Sequence, residues 1–91
     1  MSSLFYVEIT EKFPERLRQI RLDKGLTQAE LAEKISVPGD YVSQVTISQY
    51  ERGIVAPPSP AFSRLGQALG VSLDWLAGRT DDPKVHQKRT K

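Results

Sequence analysis

The sequence predicts an all-α domain of five short helices, preceded by an arm with the pattern of a β-strand. Three observations lead there. From residue 13 to residue 78 the apolar residues recur at steps of three and four, the spacing of a helix that buries one face. Helix-start residues stand ahead of these runs, Thr27, Ser59 and Ser72 among them. Gly25, Gly53, Gly70 and Gly78 close them. At 91 residues and 38% hydrophobic, the chain can bury one modest core. It divides into an arm (1–12), a helical domain (13–78) and a basic tail (79–91).

In the arm, Phe5, Val7 and Ile9 alternate with Tyr6, Glu8 and Thr10, a period of two among β-forming residues. A lone strand is unstable. Two readings stay open: a loosely packed end, or a strand that pairs with its copy in a second subunit. A first helix follows over about 14–24. Pro14 suits its first turn, and Phe13, Leu17, Ile20 and Lys24 form an inward stripe with a polar end. "TQAE", Thr27 to Glu30, is a capping box, in which the Thr27 hydroxyl accepts from the first turn and Glu30 reaches back to the Thr27 N–H. It opens a short helix over 28–35 built on Ala29, Leu31, Ala32 and Ile35. Tertiary packing must hold a helix so short.

Next, Pro38 pushes Val37 into extended backbone, and Pro-Gly-Asp is turn chemistry. A third helix runs to about Arg52, stopped by Gly53 and the prolines at 57, 58 and 60. A fourth, about 60–69, has Ser59 as cap, Pro60 at its first position, and Phe62, Leu65 and Leu69 inward. Ser72 caps a short fifth helix whose Leu73, Trp75 and Leu76 seal the core, and little order is expected beyond Gly78.

Composition removes several functions. Without cysteine there are neither disulfides nor zinc–thiolate sites. His86 sits in a charged tail and reads as a solvated residue, not a ligand. No nucleophile–base pair, metal cluster or glycine-rich phosphate loop is visible, so neither an enzyme nor a cofactor is expected. No apolar run approaches the roughly 20 residues that span a bilayer, and no signal-peptide pattern is present. The protein is therefore expected in the cytoplasm, away from membranes. The tail holds five Lys and Arg against two Asp, a net +3, and the whole chain is +2, which leaves −1 for residues 1–78. Any nucleic acid must then be met by locally placed charges and helix ends, with the tail as a basic extra.

The third helix carries the functional signal. Val42, Ile47 and Tyr50 can turn inward with Thr46 at their edge, which leaves Ser43, Gln44, Val45, Ser48, Gln49 and Arg52 outside. That face bears a single formal charge, whereas the first two helices are salted with charged residues. Glutamine can meet adenine with donor and acceptor together, serine can meet several bases, and Val45 permits close approach and can touch a thymine methyl.

A capped short helix, a turn and a second short helix with a polar outer face is the helix-turn-helix plan. "FPERLRQIRLDKGLTQAELAEKI", "VTISQYERG" and "SRLGQALGVSLDWLAG" closely resemble the phage-repressor-like, xenobiotic-response-element (XRE) type of helix-turn-helix protein, over residues 13–78. The resemblance implies a lambda-repressor-like fold that binds double-stranded DNA sequence-specifically. It implies base contacts by Ser43, Gln44, Val45, Ser48 and Gln49, with Gln44 and Gln49 foremost. It also implies phosphate contacts by Gln28, at a helix N-terminus that favours an anion, and by Arg52 at the exit of the reading helix. Arg21 and Glu51, by the same resemblance, form a structural ion pair buried between helices one and three.

The sequence departs from the family at the turn, which is usually close to "G-V-S". With Ser36 in the glycine place, Val37 to Tyr41 is a five-residue insertion. Loop length itself costs little, ~0.6 kcal/mol per doubling. What it unsettles is the start of the reading helix. With Asp40 as cap the helix covers about 41–52 and brings Tyr41 to the DNA backbone; with Ser43 as cap an ordinary helix follows a longer loop. An aspartate directly after Pro-Gly favours the earlier start. The expected function is a bacterial or phage-encoded transcriptional regulator, a repressor working as a homodimer on an inverted-repeat operator. The alternatives are an antitoxin that binds a toxin and autoregulates its promoter, and a protein-interaction module on the same fold.

Overall fold

Local chemistry sets the helix ends, and one apolar cluster sets how the helices pack. A computed structural model describes residues 8–85. Its helices are α1 Phe13–Asp23, α2 Gln28–Ile35, α3 Gln44–Glu51, α4 Ser59–Leu69 and α5 Leu73–Ala77. The capping box of α2 is complete: Thr27 Oγ1 accepts from the Glu30 N–H at 3.0 Å, and Glu30 Oε1 accepts from the Thr27 N–H at 2.9 Å. Ser72 caps α5 by accepting from the Trp75 N–H at 3.2 Å.

Phe13 ties three helices together. Its ring meets edge-on those of Tyr50 from α3, at 6.4 Å between centroids, and Phe62 from α4, at 5.9 Å. Around it Leu17, Leu31, Ile35, Ile47, Leu65 and Leu76 are fully buried, so all five helices feed one core. Burying each such side chain contributes about 1.5–3 kcal/mol, which is what holds helices too short to persist alone.

Several boundaries differ from the sequence reading. Helix α3 begins at Gln44 and not at Tyr41. Asp40 is not a cap, for the backbone of residues 37–40 closes on itself. The Val37 N–H donates to the Asp40 carbonyl at 3.2 Å and the Asp40 N–H donates back at 2.9 Å. Pro38 and Gly39 fill the centre of this turn, with Gly39 at φ +87°, which a turn of this kind asks of glycine. The Asp40 carboxylate is taken by Arg64 of α4 at 2.6 Å. Ser43 is left to cap α3, accepting from the Thr46 N–H at 3.2 Å.

Helix α4 takes Ser59 as its first residue, without a side-chain cap; the Pro58 carbonyl accepts from the Phe62 N–H at 2.9 Å instead. In α1 the buried polar end of the stripe is Arg21, while Lys24 lies past the helix and is exposed. Trp75 is half-buried at the rim of the core, with the Arg16 guanidinium 4.8 Å over its ring. That same Arg16 orders the stretch after Gly78: it donates to the Thr80 carbonyl at 2.7 Å and to the Asp81 carboxylate at 2.8 Å. The Ser72 N–H donates to the Pro83 carbonyl at 2.9 Å. The remainder of the tail with His86, and Phe5 and Val7 of the expected strand, lie outside the described residues. Ile9 and Thr10 have no regular structure, and the Thr10 N–H donates to the Ala77 carbonyl at 2.8 Å.

Gly39 and Gly78 both have positive φ, but only Gly78 is crowded: a Cβ there would collide with the Thr10 hydroxyl and with Lys12, whereas nothing lies near Gly39. Gly39→Ala is expected to lose about 1–2 kcal/mol, the backbone contribution alone. Gly78→Ala should lose about 1–3 kcal/mol more from overpacking. Urea midpoints measure both, and equal losses would mean that the Thr10–Ala77 junction yields freely.

Candidate nucleic-acid interface

The sequence of α3, QVTISQYE, is only weakly two-faced, so packing and not propensity decides its orientation. Ile47 and Tyr50 are buried, and Val42 anchors the chain just ahead of the helix. The opposite side therefore faces outward. Gln44, Val45 and Arg52 are exposed, and Ser43, Ser48 and Gln49 are partly so. Gln28 stands beside them at the start of α2, half-buried. Gln28, Ser43, Gln44, Val45, Ser48, Gln49 and Arg52 thus all stay at least partly accessible on the α2–α3 unit. Tyr41 lies ahead of the helix and outside it, 81% exposed.

Behind this face sits an ion pair. Arg21 Nε donates to Glu51 Oε2 at 2.6 Å and Arg21 Nη2 donates to Glu51 Oε1 at 3.0 Å, a bidentate geometry. The two side chains are 9% and 3% exposed. Arg21 Nη1 donates to the Leu26 carbonyl at 2.8 Å, so the guanidinium is satisfied on a second side as well. The hydrogen bond to Glu51 holds the Arg21 pKa above its ordinary value, against the opposing pull of burial.

The pair does more than join α1 to α3. An ionised carboxylate only accepts, so the side-chain amide that meets Glu51 must present its NH2. Gln28 does so, Nε2 donating to Glu51 Oε1 at 3.0 Å. Its Oε1 is thereby turned toward α3, where it accepts from Gln44 Nε2 at 2.7 Å. Gln44 keeps its own oxygen and a second N–H outward. A chain of fixed polarity runs from a buried charge to an exposed amide. Residue types alone gave no sign of the Gln28–Gln44 bond, since the first residue of α2 and the first residue of α3, sixteen positions apart, share no local pattern.

A second pair missed by the sequence reading lies on the far side of the turn. Arg64 bridges Asp40 and the Ile35 carbonyl, its Nε donating to the latter at 2.6 Å. It occupies one of the last carbonyls of α2, which no residue of that helix can satisfy. The Tyr50 phenol is raised above its ordinary value of 10.0, first by burial and then by the nearby Asp40 charge, which Arg64 partly offsets. Among the described residues no helix is long and apolar enough to cross a membrane.

Comparison with known proteins places this arrangement. Residues 17–76 match the helix-turn-helix family model. The chain is 37% identical over 79 residues to YobD, an uncharacterised HTH-type transcriptional regulator of Bacillus subtilis (strain 168), covering 85% of this chain and 66% of that protein. It is 35% identical over 65 residues to the HTH-type transcriptional activator BcrR of Enterococcus faecalis, covering 71% and 29%. Over 73 residues it is 30% identical to the HTH-type transcriptional regulator ImmR of Bacillus subtilis (strain 168), covering 80% and 54%. The chain thus spans less than two thirds of the length of these relatives.

Two outcomes test the site's support. Glu51→Leu strands the Arg21 charge and should cost roughly 3–5 kcal/mol in urea denaturation, while Arg21→Met with Glu51→Leu should recover most of it. If the double variant were as unstable as the single, the pair would itself be a source of stability. The second outcome concerns alkali. An acid whose pKa is raised by folding stabilises the protein fully below its ordinary value and stops doing so as pH climbs through the folded value. Stability should therefore fall above about pH 10 through Tyr50, and Tyr50→Phe should flatten that decline. An unchanged slope in the variant would assign the loss to other groups.

Proposed function

This chain belongs to the XRE-type helix-turn-helix family of DNA-binding transcriptional regulators, and on that premise we propose that it is a bacterial repressor that acts by occupying an operator. The Gln28–Gln44 bond is the observation that carries the proposal. A solvated surface has no use for a glutamine whose amide polarity is set from a buried ion pair. A base-reading surface does.

Residues 13–78 form the DNA-binding domain in this reading, flanked by the arm (1–12) and the tail (79–91). Helix α3 lies in the major groove and α2 crosses the backbone. Gln44 presents an acceptor and a donor to the N6 and N7 edge of adenine, and Gln49 lies about 1.4 turns further along, by the helical repeat. Ser43, Ser48 and Val45 complete the surface that meets the base edges. Gln28 and Arg52 hold phosphates, which set register and carry no sequence information themselves. One such domain reads few base pairs. A homodimer on an inverted repeat, with half-site centres about 34–36 Å apart, supplies the rest. Occupancy blocks transcription, with no catalytic step and no cofactor. Activation is the second reading, favoured by the likeness to BcrR, which is named an activator.

Selection of bound fragments from random duplex DNA tests the proposal. It should enrich one sequence with dyad symmetry, and failure to enrich any duplex would overturn it. On the selected site, Gln44→Ala should lose roughly 1–3 kcal/mol and relax preference at one base pair. Arg52→Ala should weaken all sequences alike and lower the salt slope by about one. A promoter fusion then separates repression from activation by the sign of its response.

A further inference from the structure

The loop inserted between α2 and α3 is fastened more firmly than tolerance requires. A few extra residues there cost little chain entropy, yet three sets of bonds hold them. The Ser36 hydroxyl accepts from the Val42 N–H at 2.8 Å and lies 3.1 Å from the Val42 carbonyl. Residues 37 and 40 exchange backbone bonds across the Pro38–Gly39 turn. Arg64 clamps Asp40 to the end of α2.

What this rigid loop displays is Tyr41, 81% exposed although its neighbour Val42 is buried. Tyr41 and Gln44 line one open groove with Ala29 and Glu33 of α2. In the docking described above, α3 enters the major groove and α2 crosses the strand. A side chain just ahead of α3 and beside α2 then stands against the sugar–phosphate chain. Asp40, one residue earlier, would repel that chain were it not neutralised by Arg64. Glu33, on the α2 wall, is like-charged with phosphate, so contact falls on the outer rim where Tyr41 stands.

We infer that residues 36–41 form a preset backbone clamp: Tyr41 donates its phenolic O–H to a phosphate flanking the bases met by Gln44. Arg64, from α4, is a positioning residue that fixes the loop and cancels the charge of Asp40. The inference rests on the DNA-binding reading of the same surface.

Its test uses the full chain and the duplex it selects from a random pool. Tyr41→Phe should lose affinity about five- to twentyfold, the size of one hydrogen bond to a charged group in a partly wet site. It should also lose one backbone position per half-site from the phosphate-ethylation interference pattern, with base preference unchanged. Arg64→Met should lose the same position, and its deficit should be largest at low salt and shrink as salt rises, because the freed Asp40 charge is screened. Arg64→Met with Asp40→Asn should restore the wild-type salt slope, a readout that loss of loop packing alone would not move. Wild-type affinity and footprint in Tyr41→Phe and Arg64→Met, alongside weakened binding in Gln44→Ala, would overturn the clamp and leave the DNA-binding reading intact. If the wild-type chain selects no duplex, both fall together.

Discussion

The bidentate pair between Arg21 and Glu51 is the constraint on which the rest of the structure depends. Taking two charges out of water costs several kcal/mol per ion, and their mutual attraction does little more than offset that cost. The pair therefore contributes geometry more than stability. A guanidinium fork matched to a carboxylate tolerates little rotation, so α3 cannot turn about its axis without separating the two. An eight-residue helix with only Ile47 and Tyr50 buried has few other means of fixing its rotation. From that fixed point the polarity of Gln28, and then of Gln44, follows from which groups can donate and which can only accept.

The molecule separates its tasks along the same line. The core around Phe13 supplies the free energy and is indifferent to what α3 displays. The outward face can then be built largely of amides and hydroxyls, which the core does not need. The insertion between α2 and α3 shows the same economy. Because the Ser36 hydroxyl reaches across to Val42, the loop leaves and rejoins the domain at nearly one point, and Ser43 still caps α3. The extra residues are exposed and project outward ahead of the helix they precede.

Much of this was legible in the sequence wherever the determining bonds are local. The capping box at Thr27–Glu30, the Ser72 cap and the stop after Leu69 each involve residues within a few positions, and each appears as read. The inward set Val42, Ile47 and Tyr50 followed from periodicity and is buried. Two of the misreadings share a cause. Asp40 after Pro-Gly looks like a helix cap, but Arg64, 24 positions away, takes its carboxylate while the turn takes its backbone. Arg16 of α1 stacks over Trp75, which packs against the core as read, and donates to its carbonyl from 59 positions away. The stretch after Gly78 looks free until the same arginine reaches it. Long, flexible cations choose partners by three-dimensional proximity, which periodicity does not encode. At the candidate site the residue types were readable, but the bond that orients Gln44 was not.

If Gln28 orients Gln44 for reading DNA, the two glutamines must act on one contact. A double-mutant cycle on operator affinity tests it most directly, comparing Gln28→Ala, Gln44→Ala and the pair together. The combined loss should fall short of the sum of the two single losses by about 1 kcal/mol or more, since either change undoes the same positioned contact. Strict additivity would contradict it, leaving two glutamines that act on DNA independently and a bond between them without consequence for recognition.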